Sequence, residues 1–405
     1  MTGDIVISGT GLVTPFGHGV PAFWDGLTGG RSALRPAGRA FSESYDGAPV
    51  GEVPGGGPAP GNRKRAYARA AVAEALAATG RDRLPAGTLL VLAGQAPAPG
   101  GAGEGEGEEP AGNGREGAHR VEGTHGVEGG AAAEVLGPPA SVAAPLADGV
   151  PGPGGLRVVH LSHACASALF AVGFARDMLR AGQAPLAVVA ASSVLNPYEY
   201  ASMEVVRAIS GEAARPFDTG RSGISLGEGG GALVLEPAAP GTDLRGPVVA
   251  GVACRVAGGK GAASDAAVIA SGMRGALDDA SADGLGHVHA HATGTPQGDA
   301  AELEAVETIA RERGGERLAL TSHKGAIGHL LHASGVPALV AAAMTLRTGI
   351  VPPSAGLSSP EPVDRVRLAT APLPVPGLRT CAVNSLGFGG NNATVVLRGA
   401  AAARH

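Results

Sequence analysis

Four segments carry side chains suited to nucleophilic and hydrogen-bonding chemistry. In LRVVHLSHACASALFAVGFARDML a strand is expected to end near Leu161, and a helix to begin around Cys165. A cysteine at such an elbow faces the free N–H groups and dipole of a helix N-terminus, which stabilise a thiolate and can hold an oxyanion. A buried structural cysteine is the ordinary alternative, and the strand–turn–helix context favours a nucleophile. In HVHAHATGTPQGDAAELEAVE a strand is expected to end at His291, and Asp299-x-x-Glu302 has capping-box spacing for a following helix. His287, His289 and His291 alternate on one strand face. No further ligand motif accompanies them, so no metal is expected. In TSHKGAIGHLLHASG, Lys324 and His329 fall in a strand-to-helix loop, with His329 at the start of the helix. The helix dipole disfavours imidazolium there, so a neutral, N–H-donating ring is expected. In NSLGFGGNNA the glycines permit a sharp turn and close backbone approach.

These segments need a scaffold of strands and helices. Short apolar runs at Ile5–Ser8, Leu89–Ala93, Leu156–Leu161, Leu186–Ala191, Ala232–Leu235, Val248–Cys254, His287–Ala290, Leu318–Thr321, Thr380–Val383 and Thr394–Leu397 read as strands covered on both faces. Helical periodicity predicts helices over Lys64–Thr79, Cys165–Ala181, Asp265–Ala280, Asp299–Glu312 and His329–Thr348, with Gly80, Gly182 and Gly349 as C-terminal caps. The chain also echoes itself. Ser225-Leu226-Gly227-Glu228-Gly229-Gly230 returns as Ser385-Leu386-Gly387-Phe388-Gly389-Gly390, and Leu179-Arg180-Ala181-Gly182 as Leu346-Arg347-Thr348-Gly349. Two echoes in one order at nearly one offset suggest two similar α/β halves, residues 1–243 and 244–405, packed as layers.

Composition bounds the rest. Of 405 residues 44% are apolar, enough for a large core, but only twelve are aromatic, so that core is built of Ala, Val and Leu. Three cysteines at unrelated spacings exclude a disulfide scaffold. No signal peptide is evident in MTGDIVISGTG, and the most apolar stretch, Val336 to Leu346, is too short to span a bilayer, so a soluble cytoplasmic protein is expected. A net charge of −5 makes no case for nucleic-acid binding. Between Pro97 and Gly155 stand nine acids and two bases, and about 97–130 reads as a flexible acidic loop.

Taken together and in order, the four motifs resemble the β-ketoacyl synthases of the thiolase superfamily, the condensing enzymes of type II fatty-acid and polyketide systems. The opening IVISGTGLVTPFG with Phe23-Trp24-Asp25-Gly26-Leu27 is similar to that family's N-terminus. The resemblance implies a duplicated five-layer α-β-α-β-α fold, no cofactor, and an acyl carrier protein as partner. It further implies a dimer, either of identical chains or with a ketosynthase-like chain-length factor. It implies that Cys165 carries the acyl chain and that His291 and His329 hydrogen-bond the malonyl thioester as it loses CO₂. Lys324 would organise charge, with Asp299 and Glu302 in a supporting network. The N–H groups of Cys165 and Phe388 would form the oxyanion hole, Phe388 gating acyl entry. The basic run Arg63-Lys64-Arg65 with Arg69 lies at a position resembling one used for carrier docking; an ordinary solvated face is the alternative.

Four residues depart from that family's pattern. His163 stands two before the nucleophile, where it could face the thiolate or merely pack. Ala338 replaces a Glu common in fatty-acid members, which puts a structural cation site there in doubt. Asn391 stands where Thr is common, and His332 replaces a small residue. The acidic loop falls where relatives carry substrate- and dimer-facing elements. A degradative thiolase would need a second reactive Cys in the C-terminal Gly-rich loop, whereas Cys381 falls on the preceding strand. A starter-unit synthase would pair Cys with His and Asn. A non-catalytic chain-length factor would lack the nucleophile. An acyltransferase of the same fold that moves an acyl group without condensation would keep Cys165.

Overall fold

The computed structural model describes residues 3–38, 47–55, 60–81, 84–94, 156–239, 246–257, 265–313 and 317–399. The acidic 97–130 segment lies outside them. The ten expected apolar runs all lie on strands: β1 (Ile5–Thr14), β2 (Thr88–Ala93), β3 (Leu156–Leu161), β4 (Ala187–Ser193), β5 (Gly229–Pro237), β6 (Val248–Val256), β7 (His287–His289), β8 (Leu318–Thr321), β9 (Thr380–Gly387) and β10 (Asn391–Arg398). The principal helices are α1 (Val20–Thr28), α2 (Pro60–Ala78), α3 (Ser167–Arg180), α4 (Pro197–Val205), α5 (Ala266–Asp279), α6 (Pro296–Arg313), α7 (Lys324–Ile327) and α8 (Gly335–Thr348).

The internal echo is a topological duplication. The first half orders its strands β3-β2-β4-β5-β1, and the second β8-β7-β9-β10-β6, the same order five strands later. Pairing sense repeats too. β2 is parallel to β3 and β4, with β5 antiparallel to β4 and β1. Likewise β7 is parallel to β8 and β9, with β10 antiparallel to β9 and β6. The halves meet edge to edge where Val6 of β1 faces Val248 of β6. Gly182 and Gly349, the repeated glycines after α3 and α8, both adopt positive φ, 66° and 69°.

Five layers follow from which faces are apolar. Leu169 and Val172 of α3 and Val336, Leu339 and Val340 of α8 fill the middle, between Leu89 and Val91 of β2 and Val383 and Val395 of β9 and β10. α2 covers the far face of the first sheet through Val72, Ala75 and Leu76. α5 and α6 cover the far face of the second through Ile269, Met273, Leu277, Val306 and Ile309. Strands with both faces covered have no polar face to solvate, which is why they read as continuous apolar runs.

Helix starts differ from the sequence reading. α2 and α6 begin earlier, each at a proline, the residue whose missing N–H and fixed φ suit a first helical turn. α8 begins six residues after His329, following a 3₁₀ turn over Leu331–Ala333. His329 cannot enter a helix because its N–H donates to Ser225 O and its C=O accepts from Gly227 N. Among the described residues no helix is long and apolar enough to cross a membrane.

Candidate active site

Cys165 sits at a tight elbow between β3 and α3. Ala164 has φ of 48°, the left-handed region a non-glycine residue occupies only when its surroundings hold it there. Ser167, the first residue of α3, holds the elbow: its Oγ donates to Ala164 O at 2.6 Å and accepts from His163 N at 2.8 Å. From the other half, Ser385 Oγ donates to Cys165 O at 2.8 Å. Burial pushes the Cys165 thiol up to about 11, against the pull of the Lys324 cation and of its own backbone N–H.

His329 reaches this sulfur from the second half, and His291 stands beside His329. His329 Nε2 lies 3.2 Å from Cys165 Sγ, and its Nδ1 meets Ser334 Oγ at 2.8 Å. The His291 ring stands edge-on to His329, with centroids 5.3 Å apart. Burial and the Lys324 charge hold both imidazoles well below their usual range, so both are neutral. This agrees with the neutral His329 expected from a helix start, but the cause is desolvation rather than a dipole. Lys324 is on the short α7, not in a loop, and its Nζ donates to the His291 carbonyl. Burial brings it down to about 8, while Glu302, Cys165 and Asp299 draw it back up.

Asp299 and Glu302 do not form a capping box, because α6 has already begun at Pro296. They clamp the histidine loop instead. Glu302 accepts from His291 N at 2.8 Å, Ala292 N at 2.7 Å and Asn384 Nδ2 at 3.0 Å. Asp299 accepts from Thr293 N, Gly294 N and Phe217 N at 2.9–3.1 Å. The His289 and His287 side chains are fully buried behind the site, His289 Nε2 meeting His323 Nδ1 at 2.9 Å. Among the described residues no group of three His, Cys, Asp or Glu side chains is disposed to hold a metal ion. Ser334, Ser385, Asn384 and His323 escaped the sequence reading. All four lie within the quoted motifs, but only long-range contacts distinguish them from their neighbours.

Gly387 brings the end of β9 against the elbow: a Cβ there would lie 3.0 Å from His163 O and 3.2 Å from Cys165 N. The next residue, Phe388, is 38% exposed. Two of the departures meet each other: His163 Nδ1 lies 3.1 Å from Asn391 Oδ1, and its ring stacks on Phe170 at 3.8 Å. Ala338 is buried on α8. Of the basic run on α2, Arg63 does not reach the surface. It is 2% exposed, its Nε pairing with Glu228 at 3.3 Å and its Nη2 donating to Leu195 O at 3.1 Å. Lys64, Arg65 and Arg69 are all partly exposed.

Residues 155–240 match the β-ketoacyl synthase N-terminal domain and residues 247–358 the β-ketoacyl synthase C-terminal domain. The chain is 30% identical to the tetracenomycin polyketide synthase ketoacyl synthase alpha subunit of Streptomyces glaucescens, over 88% of each protein. It is 31% identical to 3-oxoacyl-[acyl-carrier-protein] synthase 2 of Vibrio harveyi, over 59% of this chain and 61% of that protein. In fold it is similar to the ishigamide ketosynthase/chain length factor, with a TM-score of 0.77, 24% identity and 98% and 99% of the two chains covered. Full-length kinship at this identity, together with a duplicated fold that brings one cysteine and two histidines to one point, places the chain in the β-ketoacyl synthase family.

Proposed function

We propose that the chain is a decarboxylative β-ketoacyl-acyl-carrier-protein synthase acting in the cytoplasm. Residues 1–243 supply its nucleophile and residues 244–405 its histidines. The observation that carries this reading is the 3.2 Å approach of His329 Nε2 to Cys165 Sγ, with His291 beside it.

The geometry supports the following course of reaction. A thiol raised to about 11 is mostly protonated at neutral pH, so its attack on an acyl thioester needs a proton acceptor at hand. With Nδ1–H directed to Ser334, His329 Nε2 offers that lone pair. The acyl group passes to Sγ, and the carrier thiol leaves with the proton. The Ser334 hydroxyl donates as readily as it accepts, so the ring can then present Nε2–H instead. A malonyl thioester next loses CO₂, and the electron pair of the broken C–C bond becomes an enolate. Two neutral imidazoles stabilise the charge on its oxygen without giving up a proton. Lys324, anchored to the His291 carbonyl, and Glu302, anchored to its N–H, hold the first of these rings in place. The enolate carbon attacks the Cys165 thioester, the N–H groups of Cys165 and Phe388 hold the oxyanion, and collapse expels the Cys165 sulfur. The close approach of Gly387 to Cys165 N supports that pairing of N–H groups. A carrier protein would dock near Arg65 and Arg69, and the chain would work as a dimer with a copy of itself or a chain-length factor.

The test is mass spectrometry of products from an acyl carrier thioester and malonyl carrier protein. A β-ketoacyl product two carbons longer is expected, and Cys165→Ala should abolish both acyl transfer and extension. Cys165→Gln, which imitates the acylated state, should retain malonyl decarboxylation. Full extension by Cys165→Ala would sink the assignment, and an acyl group moved without lengthening would make the protein an acyltransferase.

A further inference from the structure

The parallel ladder of β7 and β8 runs in register from His287 and Ala319 to His289 and Thr321. Its last bond passes from Ala290 N to Thr321 O at 2.8 Å. Beyond that point one chain continues to His291 and the other enters α7 with Lys324, and side chains take over from the backbone. Ser322 Oγ donates to Ala292 O at 2.7 Å, and Lys324 Nζ donates to the His291 carbonyl. The third tie is an imidazole pair. His289 Nε2 meets His323 Nδ1 at 2.9 Å, the rings stacked with centroids 5.1 Å apart and 26° between planes.

Both rings are buried, 0% and 1% exposed, and among the described residues His289 Nδ1 and His323 Nε2 meet no hydrogen-bonding partner. The bond between the rings is thus the one polar anchor of each among those residues. His323 is the residue on which α7 starts, and its side chain does not cap that helix. Burial and the Lys324 charge keep both rings neutral, so one N–H fills the gap between them. A carboxylate at either place would alter the charge beside Lys324; a neutral pair fixes position alone.

We infer that His289 and His323 are positioning residues for malonyl decarboxylation: their bond fixes the His291 turn and the Lys324 turn against each other. The inference rests on the proposed condensation, in which His291 and Lys324 serve the malonyl unit. His289 precedes His291 by two residues and His323 immediately precedes Lys324, so slack in this bond passes directly to both. Misplacement of a reacting group by about 1 Å can cost on the order of 100-fold in rate. Cys165 and His329 are held by other contacts, from Ser167 and Ser385 and from Ser225, Gly227 and Ser334. Loading of Cys165 should therefore suffer far less than decarboxylation.

Decarboxylation is measured in the Cys165→Gln protein, by mass spectrometry of acetyl carrier protein formed from malonyl carrier protein. Loading is measured with Cys165 intact, by the mass gained from a hexanoyl N-acetylcysteamine thioester. His289→Leu and His323→Leu each remove the bond and should lower the kcat of decarboxylation about 10- to 100-fold. His323→Asn keeps a polar atom at the place of Nδ1 and His289→Gln keeps one at Nε2, so both should retain most of that rate. The double variant, His289→Leu with His323→Leu, leaves neither ring orphaned. Its thermal midpoint should recover relative to the single variants, while decarboxylation stays slow. A double variant with undiminished kcat overturns the inference and makes the pair a packing element. Loading that falls as far as decarboxylation overturns it too. Slow decarboxylation by folded His323→Asn and His289→Gln does the same, and this arm holds even where leucine prevents folding. No decarboxylation by Cys165→Gln alone overturns the synthase reading itself, and the positioning role with it.

Discussion

Glu228 and Phe388 hold the same place in their halves, at the Gly-rich turn that leads into β5 and into β10, and they meet opposite surroundings. Glu228 is fully buried, accepting from Tyr67 Oη at 2.9 Å, Val53 N at 3.1 Å and Arg63 Nε at 3.3 Å. Phe388 stands partly exposed after Gly387, which abuts the Cys165 elbow, and is followed by two glycines at φ of 75° and 76°. One turn has become an internal brace and the other stays at the surface. The turns are also reciprocal. Ser225 and Gly227, from the first half, hold the backbone of His329. Ser385 and Gly387, from the second, hold the elbow of Cys165. Each half thus positions a candidate site residue of the other, and neither could form the arrangement alone.

The sharpest break between the two turns should come from Glu228→Ala. It leaves the Arg63 guanidinium buried without its carboxylate, a loss of about 3–5 kcal/mol in urea unfolding. A loss under about 1 kcal/mol would remove Glu228 from the role of brace. Next come the paired glycines. A Cβ at Gly227 would meet Ile327 O at 2.2 Å, whereas the nearest atom to one at Gly387 is 3.0 Å away. Gly227→Ala should therefore cost about 1–3 kcal/mol and Gly387→Ala less. The reverse order would undo the reciprocity argued from close approach.

A pH measurement separates charge from packing. Lys324 sits at about 8, below its unfolded value, so between about 8 and 10.5 the unfolded chain binds more protons. This group accordingly makes stability rise with pH across that window. Activity should move oppositely, malonyl decarboxylation falling as Lys324 loses its proton above about 8. Lys324→Met should lack that limb, and the same limb persisting in the variant would assign it to another group. The smallest effect on folding belongs to Phe388→Ala, within about 0.5 kcal/mol of wild type because the ring is partly solvated. Acyl loading should nonetheless change. Unaltered loading rates would exclude Phe388 as a gate.

Periodicity and repetition in the chain were sufficient for the strands and the duplication, because these are local consequences of apolar spacing and of residues that recur in order; burial on both faces fails at β3, which is only partly covered along its length, and at the end of β6, where Cys254 is exposed. The types of Cys165, His291, Lys324 and His329, in their motif contexts, were legible for the same reason. Helix starts were less so: the one expected at His329 is displaced because a partner strand-like segment 102 to 104 residues away claims its backbone groups. Which basic residues reach solvent was decided only by tertiary structure. Arg63, Lys64 and Arg65 are adjacent and look alike in sequence, yet Arg63 is buried against Glu228, 165 residues on, while Lys64 and Arg65 stay partly exposed. The conversion of Asp299 and Glu302 from helix caps to clamps has the same origin. A carboxylate takes whichever N–H groups the fold leaves unpaired and dry, and those are chosen by contacts between distant parts of the chain.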